Sequence, residues 1–389
     1  MVYIPLLFII LYCIFKYDVP GKRAGINGPY LLVLIYLILL SGLAYRIGGD
    51  GIVFENEYPL YKSLLDPSLN ISYFFSFQNR MPGWVLLNTI CKTFSSSWVL
   101  FKIVHAILVN SLILQFIRKN CRYVFTVILF YFILLYFNFN FQYLRASIAV
   151  AVFLSSLKFY YKKEWLKYYL VCGLAFTFHD SALVTLFLPL LSFWNYSKKQ
   201  VIAFLIVTAI LIILRGILIE KTLTLFTNEY VAMRVGYYVS QYETDSSFSL
   251  YLNLAFNILL PMALIFMLRK HQMDNKLTIL SIAYMAVYVL SMVFPIAYRL
   301  NNFFILFYYI LIIDSLGDLF LNHSRRLVVG VYIVLCFSFI LFKARTYLTY
   351  YGQTTVPSYV QFYPYSSVFD QTKYPDREKI LDDAQTGIY

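Results

Sequence analysis

Apolar residues in this chain arrive in blocks, many close to the roughly 20 residues that a helix needs to cross a hydrocarbon core, and short charged runs separate the blocks. A large soluble core would show amphipathic stripes instead. Hydrophobic residues make up 61% of the 389 and charged residues 13%, against about 45–50% and about 25% in soluble domains. Too few polar groups remain to cover a soluble surface. The pattern predicts an all-α, polytopic integral membrane bundle with the lipid bilayer as its solvent. The net charge of +13 does not point to nucleic acid, because the lysines and arginines stand at the ends of apolar blocks, where membrane topology puts them.

About twelve spans are expected: Val2–Phe15, Tyr30–Ala44, Ser97–Phe116, Tyr123–Asn138, Leu144–Tyr160, Tyr168–Phe178, Ser181–Tyr196, Val201–Ile219, Leu250–Leu268, Leu277–Phe294, Asn301–Leu321 and Leu327–Phe342. Val2–Phe15 lacks a basic leader and a small-residue cleavage site, so it reads as the first span rather than a signal. Charge decides the ambiguous stretch Tyr168–Tyr196. With two short helices meeting at His179–Asp180, the clusters at Lys16–Arg23, Arg118–Arg122, Lys158–Lys167, Lys198–Lys199, Arg269–Lys276 and Arg325–Arg326 all fall on one side, as the excess of cations in cytoplasmic loops requires. Both termini and the connections 45–96 and 220–249 then face outward. Residues 1–342 form the membrane domain and 343–389 a polar tail. The five cysteines are scattered, with neither disulfide nor metal spacing.

Positive-inside bias leaves few cations for the outer side, yet Arg46, Arg80, Arg145, Arg215, Arg234 and Arg299 all map there. Guanidinium grips phosphate bidentately at any working pH, so the set suits a lipid-linked phosphate or pyrophosphate. Snorkelling to lipid headgroups is the bland alternative. Arg145 opens a helix in Gln142-Tyr143-Leu144-Arg145-Ala146-Ser147, where its charge adds to the positive end of the dipole. His179, beside Asp180 at the outer bend, has the chemistry of a general base oriented by a carboxylate; Asp180 as a cap on the next helix is compatible with that. Asp50, after Gly48-Gly49, is the other candidate base, or a turn aspartate. Tyr58, Tyr61, Tyr73, Trp84, Tyr237, Tyr238 and Tyr242 offer flat rings for sugars, although aromatic belts account for most of the aromatic content. No phosphate-binding glycine loop, dinucleotide fingerprint or zinc motif occurs. No cofactor or metal is therefore expected, and the donor must be already activated and membrane-soluble.

Three stretches, Tyr45-Arg46-Ile47-Gly48-Gly49-Asp50, Arg145-Ala146-Ser147-Ile148-Ala149 and Phe176-Thr177-Phe178-His179-Asp180-Ser181-Ala182, together resemble the EpsG-like branch of the Wzy-type polysaccharide polymerases. That branch carries an Arg-x-Gly-x-Asp turn, an Arg-x-x-Ile-Ala helix start and a Phe-His-x-Ser-Ala bend in this order. The resemblance covers roughly residues 30–310. It implies polymerisation of O-antigen, capsule or exopolysaccharide repeat units carried on undecaprenyl pyrophosphate, at the outer face of a bacterial cytoplasmic membrane, with a flippase and a chain-length regulator as partners. Arg145, Arg46, Arg234 and Arg299 would stabilise the leaving pyrophosphate, Arg80, Arg215, Tyr237 and Tyr238 would contact substrate, and His179 or Asp50 would be the base. A membrane acyltransferase, a lipid-linked oligosaccharide flippase and a ligase are the rival readings.

Overall fold

The computed structural model describes residues 2–194, 196–225, 247–268, 275–321, 326–350 and 354–385. Among them the chain is helical, with two isolated bridges, Ala44 with Ser367 and Tyr350 with Pro357. It divides into one unit of residues 1–182 and 316–389 and a second of 183–315.

In the first unit, α1 (Tyr3–Cys13) runs on as a π-helical turn, Ile14–Asp18, and is followed by α2 (Asn27–Gly42). The predicted outer connection 45–96 is folded: α3 (Gly49–Glu57), α4 (Ile71–Ser76) and α5 (Pro82–Phe94) lie within it. Then come α6 (Trp98–Asn120), α7 (Val124–Phe130), α8 (Leu144–Tyr161) and α9 (Trp165–Phe176). Local chemistry sets several boundaries. The Ser97 side chain accepts from Val99 N–H at the start of α6, whose last turn carries Arg118 and Lys119 against the negative end of its dipole. Proline opens α5, where its missing N–H costs nothing.

The second unit contains α10 (Lys198–Ile213), α11 (Arg215–Leu225), α12 (Ser247–Leu254), α13 (Leu260–Leu268), α14 (Asn275–Val293), the 3-10 helix Pro295–Phe303 and α15 (Ile305–Phe320), whose last turns belong to the first unit. A Ser197–Gln200 capping box starts α10. Two further helices of the first unit are α16 (Arg326–Ala344) and α17 (Pro375–Gln385).

Four helical stretches are long and apolar enough to cross a membrane, Trp98–Asn120, Leu144–Tyr161, Ser249–Met267 and Val329–Leu348, and a fifth span arises if the pair Ala297–Phe303 and Ile305–Phe320, bent by 54°, counts as one. The protein is therefore multi-pass, but twelve full spans are not reached among the described residues. Several expected spans are shorter apolar helices. With 16 residues, α2 covers about 24 Å of a core about 30 Å thick. The stretch Tyr168–Tyr196 does break in two, at Thr177–His179, but the second piece is a 3-10 helix, Asp180–Phe193, not an α-helix. At a rise of about 2 Å per residue, its 14 residues extend about 28 Å.

One cluster of buried polar groups in the first unit is paired within itself. Tyr131 donates to Asn110 Oδ1 at 2.9 Å and Asn110 Nδ2 to Asn140 Oδ1 at 2.8 Å, which satisfies amides that lipid could not. Those groups lie on or beside the π-helical turns Tyr131–Tyr136 and Asn138–Gln142 that lead into α8. The segment 354–385 folds back on α3. Tyr45 N–H donates to Ser366 O at 2.8 Å, Val368 N–H to Leu43 O at 2.9 Å and Gly48 N–H to Gln361 O at 3.3 Å. Arg377, 1% exposed, donates to the carbonyls of Val360, Arg46 and Pro364.

Candidate functional site

The turn before α3 depends on glycine. Gly48 has φ +84°, and a Cβ there would stand 2.4 Å from Phe141 O and 2.6 Å from Phe141 Cβ. Only a residue without a side chain lets the turn sit against the π-helical stretch that feeds α8. Asp50 thereby falls in the first turn of α3, half-buried, where the helix dipole favours its charge. The end of that stretch, Tyr143, starts α8, so Arg145 is its second residue. His105 Nε2 lies 3.1 Å from both Leu144 O and Ser147 Oγ and fixes this helix start from α6. The imidazole is buried, as expected for a structural histidine.

Arg145 is half-buried, with its guanidinium carbon 5.5 Å from the centre of the Phe54 ring. Among the described residues its side chain makes no hydrogen bond or ion pair. Asp50, Asp180, Glu57 and the like charge of Arg80 all lie within its electrostatic reach. The structure thus gathers Asp50, Arg80, Arg145 and the His179–Asp180 bend, which the sequence scatters over 130 positions (50 to 180).

Arg80 lies on the same Phe54 ring at 5.3 Å, but Glu57 holds it through Nε at 3.2 Å and a closer contact from Nη2. Arg46 is engaged too. Its Nε reaches both Glu378 oxygens at 3.0 and 3.1 Å and Nη2 approaches one of them more closely; that hydrogen-bonded carboxylate raises the guanidinium above its ordinary range. A phosphate at Arg46 or Arg80 would have to displace a carboxylate first. Arg215 begins α11 and Arg299 lies in the 3-10 helix Pro295–Phe303, both in the second unit. Arg234, Tyr237, Tyr238 and Tyr242 lie outside the described residues.

His179 follows the end of α9 with its side chain 12% exposed, while Asp180 is 78% exposed. Nδ1 is 3.0 Å from Asp180 Oδ1. Ser181 N–H lies 3.1 Å from Nδ1 and 2.7 Å from the same carboxylate oxygen. The carboxylate is the stronger acceptor and takes that N–H, so Nδ1 carries a proton and donates to Asp180, leaving the Nε2 lone pair to accept one. The imidazole holds the Asp180 carboxyl well below the usual carboxylate range. The bend is docked from α5: Gly83 N–H donates to Thr177 O at 2.8 Å, and a Cβ on Gly83 would stand 2.3 Å from Thr177 Oγ1.

Three expected sugar-facing rings are instead core. Trp84, Tyr58 and Tyr61 are at most 3% exposed, packed with Phe54, Trp98 and Phe101; Trp84 meets Phe54 at 4.9 Å and Phe101 at 5.0 Å, and its Nε1 donates to Tyr61 at 3.0 Å. The amphipathic α5 turns these rings inward, which a reading of 45–96 as an open loop misses. Lys102 is a further group near the turn before α3 that the sequence pattern does not single out. It donates to Ala44 O and lies within electrostatic reach of Glu55; a lysine in the first turns of a membrane-spanning helix, away from the basic end, is the available signal. For Glu378 no local signal exists.

The sequence model described as the EpsG family matches residues 29–367 of this chain. No curated protein and no solved structure matches it.

Proposed function

The chain belongs to the EpsG family, and from that premise we propose that it is a membrane glycosyltransferase that polymerises polyprenyl-pyrophosphate-linked oligosaccharide repeat units, working at the outer membrane face. One observation carries the reading: a half-buried guanidinium, Arg145, with no hydrogen-bonding partner among the described residues, within electrostatic reach of the Asp180 carboxylate that faces His179 Nδ1. A pyrophosphate is the ligand class that suits an unspent guanidinium fork at a helix start.

In the proposed step, a hydroxyl of the acceptor unit attacks the anomeric carbon of the donor sugar. The bond from that carbon to the pyrophosphate oxygen breaks, and the hydroxyl proton passes to His179 Nε2. The electron pair leaves with the lipid pyrophosphate. Arg145 stabilises that charge in a site partly shielded from water, where such stabilisation is strongest. Asp180 holds the imidazole in its working tautomer and stabilises the imidazolium. Asp50, within electrostatic reach of Arg145, would position the acceptor or replace His179 as the base.

Removing the base is the decisive test, because it costs about 10²–10⁴-fold in rate and glutamine keeps the bulk of the ring. Cells carrying His179→Gln should attach single repeat units and show no ladder of longer chains on a polysaccharide gel, with the protein at normal level in membranes. A full ladder with His179→Gln and none with Asp50→Asn would move the base to Asp50. A normal ladder in both variants and in the deletion strain would end the polymerase reading. Loss of every surface repeat would indicate a flippase, a ladder lacking acyl groups an acyltransferase, and free polymer of normal length a ligase.

A further inference from the structure

Away from Arg145, toward the opposite end of the first unit, α1 and α2 part: they meet where Tyr36 donates to Val2 O at 2.7 Å and leave a gap at Tyr12 and Gly28. Between them runs an open groove of about 400 Å³, lined by Phe8 and Tyr12 of α1 and by Gly28, Pro29 and Leu32 of α2. Its wall is almost wholly apolar. Phe8, Tyr12 and Leu32 are 67%, 60% and 51% exposed, so the groove opens away from the helix bundle, where acyl chains lie. Gly28 keeps it open: a Cβ there would meet nothing within 4 Å.

The mouth of the groove is cationic. Lys16 Nζ sits 5.3 Å over the ring of Tyr12, a groove residue, and 5.4 Å over Tyr17. Arg118 donates to Asn27, the residue before Gly28, and stacks over Tyr30 at 4.9 Å. Lys22 and Arg23 are exposed on the connection between the two helices. Among the described residues the carboxylates at this end are engaged elsewhere: Asp18 is buried and accepts from Thr126 N–H at 2.7 Å, Asp318 pairs with Arg122, and Glu164 with Lys167.

An apolar slot opening to lipid, with Lys16 and Arg118 paired to no carboxylate among the described residues at one end, matches an amphiphile with one negative headgroup. We propose that the α1–α2 groove binds an acyl chain of an anionic glycerophospholipid, with Lys16 and Arg118 at its phosphate. A polyprenyl-pyrophosphate donor fits less well, since a donor head at Arg145 would lie at the far end of these helices. The site is independent of the polymerase reading.

The test is native mass spectrometry of the full-length protein with added phosphatidylglycerol or phosphatidylcholine. The wild type should retain phosphatidylglycerol in preference. Lys16→Gln should weaken that retention about fivefold, the effect of one cation near an anionic headgroup, with phosphatidylcholine unaffected. Gly28→Leu, which fills the slot, should abolish the preferred binding at unchanged thermal stability. Equal retention of the two lipids, or phosphatidylglycerol binding unaltered in both variants, would overturn the proposal. So would displacement of the bound lipid by an equimolar polyprenyl phosphate.

Discussion

At one end of the first unit Arg23 reaches the Cys121 carbonyl, Arg118 the Asn27 amide and Arg122 the Asp318 carboxylate, and Arg122 is 55% exposed. At the other end Arg46, Arg80 and Arg145 are half-buried, two of them locked to carboxylates and the third on an aromatic face without a partner among the described residues. The same residue type does two jobs. Exposed, solvated arginines contribute little to stability and fix which way the helices insert. Half-buried ones hold electrostatic free energy that a bound anion can release. Charge counting finds both sets; burial and partnership tell them apart.

The comparison breaks most directly on topology. All five native cysteines are buried, so an impermeant thiol reagent should meet little background. Asp180→Cys should label fully in intact cells, and Lys162→Cys, at the basic end, should not. The reverse result would put the Arg145 end inside the cell and remove the proposed donor site.

Next in size is the contrast between arginines. Arg145→Ala should lower polymerisation about 10²–10³-fold, and Arg145→Lys, which keeps the charge but loses the fork, should lose less. Arg122→Ala should polymerise normally and change stability by no more than about 0.5 kcal/mol. Equal loss in the two alanine variants, read from chain-length profiles at matched protein level, would erase the distinction between the ends.

A smaller effect separates position from presence. Gly83→Ala forces Cβ to within 2.3 Å of Thr177 Oγ1 and 2.9 Å of Thr177 O, so the bend carrying His179 must move, and misplacement by about 1 Å costs on the order of 10²-fold in rate. Gly173→Ala, in open space on α9, is the control. Similar turnover in both variants would show that the docking of α5 does not set the base. The smallest effect belongs to the Arg46–Glu378 pair, with 19% and 23% of the side chains exposed. A double-mutant cycle on thermal unfolding with Arg46→Gln and Glu378→Gln should give a coupling of roughly 0.2–1 kcal/mol.

The Arg-Ile-Gly-Gly-Asp turn shows how far local reading goes. Its glycines announce a tight turn, and the turn exists, but that it packs against Phe141 and is roofed by Gln361 and Glu378 depends on residues some 90 to 330 positions away. The helix break at Thr177–His179 follows from charge counting along the chain. The inward turn of Trp84 and Tyr58 does not, because the shell of rings that excludes them from solvent comes from α3, α5 and α6 together.

Hydropathy and the placement of cations determined by themselves that this chain is a multi-pass helical membrane protein, since the cost of burying backbone and charge in lipid is imposed residue by residue. The three short stretches around Asp50, Arg145 and His179 were equally legible. Which arginine has no partner among the described residues, which ring nitrogen faces a carboxylate and which aromatics are core were decided only by the tertiary structure, because pairing and burial are set by the distance between groups and not by their order along the chain.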